Sequence, residues 1–193
     1  MNKRGPRENS SSSTKSLILR AALHCFSQNG FDRTTTRMIA KSAGVDIALI
    51  GYHFGSKEHL WLAVIDKLCE KQKNLIIQIQ NIIKNNNDVR DSLSSVVDIL
   101  TNIAKEAPEL LMMICNEMTS NADKSEVIQT KVIDPLINEM SPIFEKAMQS
   151  GHFPIGESRV VIFFLLGGLS QVYLTKNKIN IENLLVFIRN MIK

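Results

Sequence analysis

No apolar run in this 193-residue sequence approaches the ~20 residues needed to cross a bilayer as a helix; the longest, Val160 to Leu169, is half that length. Met1 to Ser16 is polar and lacks the hydrophobic stretch of a secretory signal, so the expected location is cytoplasmic, with no membrane partner. Cysteine is sparse. Cys25, Cys69 and Cys115 are odd in number and far apart, which fits reduced core thiols better than a disulfide framework or a reactive thiol. Histidine offers no ligand pattern either: His53 and His59 flank a helix start, His24 and His152 stand alone, and no zinc-type spacing with cysteine occurs. Glycine forms no phosphate-cradling loop, and no nucleophile motif is present. No metal, cofactor or catalytic residue is therefore expected, and the sequence reads as that of a non-enzyme.

The 44% hydrophobic content is enough to bury a core. Apolar residues recur at helical spacing along most of the chain, so an all-α fold of about nine helices is expected. Charge is uneven. Residues 1–57 hold nine Lys/Arg against three acids, a net +6, and the remainder holds 14 against 16, a net −2. A basic head on a near-neutral body points to a polyanion bound by the head, the alternative being a merely solvated basic face. Residues 1–14, with Gly5, Pro6 and the serine run 10–13, have almost nothing apolar to bury and are expected to form a disordered tail. Lys3, Arg4 and Arg7 in that tail could serve as a minor-groove arm.

From Lys15 to Asn29, Ile18, Ala21, Ala22, Cys25 and Phe26 share one helical face, and Gly30 ends the helix. The stretch Thr34 to Lys57 then reads as two short helices, a tight turn between them, and the start of a third. Thr35 or Thr36 can cap the first, Gly44 suits the left-handed turn after it, and Asp46 can cap the second. That second helix, roughly Asp46 to Tyr52, buries Ile50 and leaves Ile47, Ala48, Leu49 and Gly51 outward. Exposed apolar residues can be ordinary surface scatter. They also suit a recognition helix, because Ile47 and Ala48 at its N-terminal end could touch thymine methyl groups in a major groove.

Thr35-Thr36-Arg37, Ile39-Ala40, Ala43-Gly44-Val45 and Tyr52-His53-Phe54-Gly55-Ser56-Lys57-Glu58, in that order and spacing, carry a resemblance. The segment from about Ile18 to Val64 resembles the DNA-binding domain of the TetR (tetracycline repressor) family of bacterial transcription regulators. The resemblance implies a helix-turn-helix domain over 15–57 and a helical regulatory and dimerisation domain over 58–193. It implies that Arg37 reaches a base edge or phosphate, and that Ile47 and Ala48 lie against bases. Thr36, Leu49, Tyr52 and His53 fall where the family touches the DNA backbone, and Lys57 would pair with a phosphate. Two positions depart from the family pattern: Leu49 replaces a small polar residue, and Gly51 replaces an aromatic.

Beyond Lys57 a glycine- and proline-free helix of twenty-some residues is expected, ending at Asn85 to Asp88. Pro108 suits the first turn of a later helix, whereas Pro135 and Pro142 predict a break or kinks between Lys124 and Ser150. The run of Met112, Met113, Met118, Met140 and Met148, with Cys115 and Phe144, is core by periodicity alone, or the adaptable wall of a ligand site. The resemblance favours a pocket for a small apolar or amphipathic effector. Met112, Cys115, Met140, Phe144 and Met148 are its candidate apolar wall, and Asn116, Glu117 and Thr119 its candidate polar groups.

The segment Glu157 to Thr175 is apolar on nearly every face, and one chain can cover only one of them. A two-fold homodimer is therefore expected, as the resemblance also implies, with Phe163, Phe164, Gly167, Gly168, Leu184 and Ile188 at its interface; the alternative is a helix central to its own domain. The function expected is a dimeric, ligand-responsive regulator, a repressor in first reading, on a near-palindromic double-stranded DNA operator. Leu49 and Gly51 motivate the alternative, a dimeric helical partner- or ligand-binding protein that has lost specific DNA binding.

Overall fold

The computed structural model describes residues 8–192 except 87, 107, 121 and 175–180, and omits the side chains of 8–12, 103, 106, 118–120, 122, 171–174, 181 and 185. The described residues form ten α-helices and one π-helical turn, the all-α architecture expected from the sequence. The chain divides into two compact units, Met1–Lys67 and Leu68–Lys193.

The first unit holds α1 (Glu8–Arg33), α2 (Thr36–Ala43), α3 (Ile47–Phe54) and the start of α4 (Lys57–Asn85). Helical backbone begins at Glu8 rather than Lys15, so part of the expected tail is helix. Once the amphipathic part of α1 is nucleated, adding a residue to its end gains a hydrogen bond for little further ordering. Lys3, Arg4 and Arg7, proposed as a minor-groove arm, lie outside the described residues. Gly30 adopts φ 72°, ψ 171°, and breaks the helical path inside α1. Thr34, fully buried, has its Oγ1 2.7 Å from the Gly30 carbonyl and 3.0 Å from that of Cys25. The break turns Phe31 inward, where its ring stacks on Phe26 at 5.9 Å and meets Trp61 edge-on at 6.2 Å. With Ile18, Ala22, Ile39, Ile50, Leu60 and Val64 these rings make the core of the unit. Because Leu60, Trp61 and Val64 belong to that core, the first turns of α4 fold with it, and the unit ends ten residues beyond Lys57.

The second unit holds the rest of α4, then α5 (Val89–Glu106), α6 (Pro108–Ser120), α7 (Ala122–Ile128), the π turn (Gln129–Ile133), α8 (Asp134–Gln149), α9 (Ser158–Leu174) and α10 (Ile181–Met191). Asp88 caps α5, its Oδ1 accepting from the Arg90 N–H at 2.7 Å. α8 packs on α5 and α9, and α6 on α7 and α9. The break expected near Pro135 takes the form of the π turn, while Pro142 is carried inside α8. Proline at 135 offers no N–H to the Lys131 carbonyl. That carbonyl instead accepts from Cys69 Sγ at 3.5 Å, and the next one, Val132, accepts from Gln72 Nε2 at 2.5 Å. Two side chains of α4 thus tie it to the π turn, one of them at the carbonyl that the proline leaves without its helical donor. Arg159 of α9 fixes the same region, donating to Asp134 and Asn138 at 2.8 Å each. Gly151, at φ 76°, follows the end of α8.

Candidate nucleic-acid interface and ligand cavity

The helix-turn-helix is built by local caps. Thr35 Oγ1 accepts from the Met38 N–H at 3.2 Å and starts α2. Gly44, left-handed at φ 67°, ends it with its N–H directed at the Ala40 and Lys41 carbonyls. Asp46 then accepts from the Ala48 N–H at 2.8 Å and starts α3. Gly55, at φ 78°, closes α3 by donating to the Gly51 carbonyl at 2.9 Å. Each cap satisfies a backbone group that a short helix leaves open, and an eight-residue helix has too few internal bonds to do without them. Replacing Asp46 with alanine is expected to cost about 1 kcal/mol of stability. A lower urea midpoint at unchanged slope would register it, whereas an unchanged midpoint would mean that water replaces the carboxylate without loss.

On α3, Ile50 and Phe54 point inward, while Ile47 (46% exposed), Ala48, Leu49 and Tyr52 (81% exposed) point outward. The Tyr52 and His53 rings meet edge-on at 5.0 Å, with His53 half-buried. Arg37 on α2 is exposed and Thr36 beside it half-buried. These six side chains named for DNA contact, together with Leu49, therefore lie on α2 and α3, with Ile47, Ala48 and Arg37 open to a partner. Gly51 is also exposed, and a Cβ there would meet nothing within 4 Å. Its lack of a side chain is not required by packing.

Lys57 is engaged within its own unit. Its Nζ donates to the Phe31 carbonyl at 2.9 Å and the Thr34 carbonyl at 3.0 Å, and sits 4.0 Å from the Phe31 ring centroid. Of three N–H groups, two are thus committed internally, which leaves at most one for a phosphate. No spacing rule signals this, because the partners are 26 and 23 residues away.

The second unit contains a cavity of about 350 Å³. α4 contributes Leu68, Gln72 and Leu75, and α6 contributes Leu110, Leu111, Ile114, Cys115 and Asn116. The π turn and α8 add Val132, Ile133 and Leu136, and α9 closes it with residues between Phe163 and Ser170. Among the expected ligand residues, Cys115 and Asn116 line this space, and Met112, half-buried on the same helix, does not. Met140, Phe144 and Met148 are not part of this wall. All three are buried on α8, and Phe144 packs edge-on against Phe153 at 5.4 Å. Periodicity placed them on the inward face of a helix, but only packing decides whether an inward face meets another helix or a void. The Thr119 side chain lies outside the described residues. Leu68, Gln72 and Leu75 went unnoticed because the length of α4 suggested a connecting rod rather than a cavity wall.

The expected dimer residues divide in the same way. Phe163 and Phe164 on α9 are exposed, the latter by 75%, and Phe187 (63%) and Val186 on α10 join them. Ile188 is corrected: it is only 2% exposed within its own chain. Leu184 is half-buried, and a Cβ on Gly168 would lie 3.8 Å from its Cδ2, so this pair packs α10 on α9 within one chain. Gly167 lines the cavity. The exposed face of α10 is thus one residue out of register with the expected one, and Val186 and Phe187 replace Ile188 on it.

Residues 18–64 match the family model of bacterial regulatory proteins, tetR family. The HTH-type transcriptional regulator RutR of Escherichia coli is 26% identical over 170 residues, covering 88% of this chain and 77% of that protein. The HTH-type transcriptional repressor AcnR of Corynebacterium glutamicum is 38% identical over 47 residues, 24% of this chain and 25% of that one. Among solved structures, FadR from Bacillus subtilis, determined in complex with stearoyl-CoA, superposes with a TM-score of 0.67 at 21% identity, covering 91% of this chain and 95% of its own. That likeness concerns the fold. Among the described residues no helix is long and apolar enough to cross a membrane, and no group of His, Cys, Asp or Glu could hold a metal ion. With the capped helix-turn-helix over the matched residues and transcription regulators as its relatives, the chain carries the DNA-binding domain of the TetR family of bacterial regulatory proteins over residues 18–64.

Proposed function

We propose that this chain is a ligand-responsive transcriptional repressor that binds a near-palindromic operator as a homodimer in the cytoplasm. Residues 15–57 would form its DNA-binding part and 58–193 its regulatory and dimerisation part. The observation that carries the reading is the α3 surface: a capped helix within the family match that turns Ile47 and Ala48 outward at its N-terminal end. Two such helices would enter successive major grooves about 34–36 Å apart. Arg37 would read a base edge or phosphate, and Thr36, Leu49, Tyr52, His53 and the remaining N–H of Lys57 would hold the backbone. AcnR, a repressor by name, supports repression as the sense of regulation.

The cavity is the proposed effector site, which the stearoyl-CoA complex of FadR supports by analogy. α4 contributes residues to both compact units, so a ligand that shifts its cavity end would alter the DNA-binding end. It can do so only to the extent that it binds the two arrangements with different affinity.

Selection of bound sequences from random duplex DNA tests the DNA half of this reading. Enrichment of one inverted repeat is expected. Salt-sensitive binding without enrichment would favour the second reading, a dimeric partner- or ligand-binding protein, whose motivation is the apolar Leu49 and the bare Gly51 on the recognition face.

A further inference from the structure

The cavity wall in the second unit is apolar except for Gln72, Cys115, Asn116 and Ser170, and none of its described residues is charged. A carboxylate or ammonium placed deep against this wall would lose hydration and find no opposite charge among these residues, which disfavours an ionised group at that depth. The polar groups are also partly committed to one another. Cys115 Sγ and Ser170 Oγ are 2.9 Å apart, and Ser170 Oγ donates to the Gly167 carbonyl at 2.7 Å. Gln72 gives its Nε2 to the Val132 carbonyl of the π turn. Its amide oxygen remains an acceptor with no donor to it among the described residues. A volume of about 350 Å³ corresponds to roughly 10–15 non-hydrogen atoms, taking ~30 Å³ for each as for a molecule of liquid water.

We propose that the cavity takes an uncharged, mostly apolar molecule of about that size carrying one hydrogen-bond donor, which Gln72 accepts; a medium-chain alcohol is the simplest such ligand. This rests on the reading of the cavity as an effector site and names the chemistry of the effector. Gln72 then has a double role. The same amide that receives the ligand ties α4 to the π turn, so the ligand's polar end acts at the bond that holds α4 in place.

The test is calorimetric titration of the full-length protein with four compounds of equal chain length: n-decanol, decanoate, decylammonium and decyl methyl ether. Decanol is expected to bind saturably. Decanoate and decylammonium should bind at least tenfold more weakly, and the ether, which cannot donate, about tenfold more weakly. Gln72→Met should erase the preference for alcohol over ether while leaving the ether's affinity within a few-fold, a change that a merely structural glutamine would not produce. Ile114→Trp, or the milder Leu166→Phe should the first fail to fold, fills the cavity and should abolish binding of all four.

Decanoate binding as tightly as decanol, an ether equal to the alcohol in the unmodified protein, or no binding by any of the four would overturn the proposal. So would binding that survives both filling variants, which would assign the ligand to the exposed α9–α10 face. Because calorimetry needs no DNA, these outcomes are independent of operator recognition. Release is read separately, by repeating the titration on protein bound to its selected DNA.

Discussion

Replacing Lys57 with methionine is expected to destabilise the DNA-binding unit by about 3 kcal/mol, taking roughly 1.5 kcal/mol for each hydrogen bond from a charged donor. The methylene stem survives in methionine, so packing changes little. What disappears is the ammonium that bonds the Phe31 and Thr34 carbonyls and lies over the Phe31 ring. Those carbonyls flank the point where the chain leaves α1 for α2, so α2, and with it the entry into α3, would lose its anchor. Urea unfolding measures the loss. A drop below about 1 kcal/mol would mean that water serves both carbonyls once the ammonium is gone.

DNA binding should weaken as well, with the salt dependence shallower by at most ~0.9 in log–log slope, the value for one phosphate contact. An affinity loss with an unchanged slope would make Lys57 purely an internal brace. The two measurements therefore separate its structural role from its proposed role on DNA.

The second large effect concerns the exposed apolar face of the last two helices. Changing Phe164 and Phe187 together to glutamate is expected to convert the proposed dimer to monomer in sedimentation velocity and to lower operator affinity by about 10²-fold or more, because the two recognition helices would no longer be linked. The two rings are 75% and 63% exposed in the single chain, so carboxylates in their place stay hydrated in the monomer and would be buried without partners only in the dimer. Monomer stability should therefore change little. A dimer that persists with normal affinity would move the interface elsewhere and leave these rings as surface scatter.

The caps and inward faces were legible in the sequence because they depend on neighbours within a few residues. Thr35, Gly44 and Asp46 act on atoms at most four positions away, and the alternation of buried Ile50 with exposed Ile47, Ala48 and Leu49 follows from helical geometry alone. The family resemblance drew on the same local pattern. The cavity was not legible in that way. Met140, Phe144 and Met148 have the composition of an adaptable pocket, yet all three are packed in the core around α8. Leu75 and Gln72, on a helix that looked like a connector, line the void.

The sequence by itself determined the all-α class, the helix-turn-helix and its caps, because each of these is set by side chains acting on backbone within one or two turns. Only the tertiary structure decided that Lys57 is a brace, that the break expected near Pro135 is a π turn bonded by Cys69 and Gln72, and that Ile188 faces inward. In each case the deciding atoms come from segments distant in the chain. Periodicity specifies which side of a helix is apolar, but what that side meets depends on how the other helices pack.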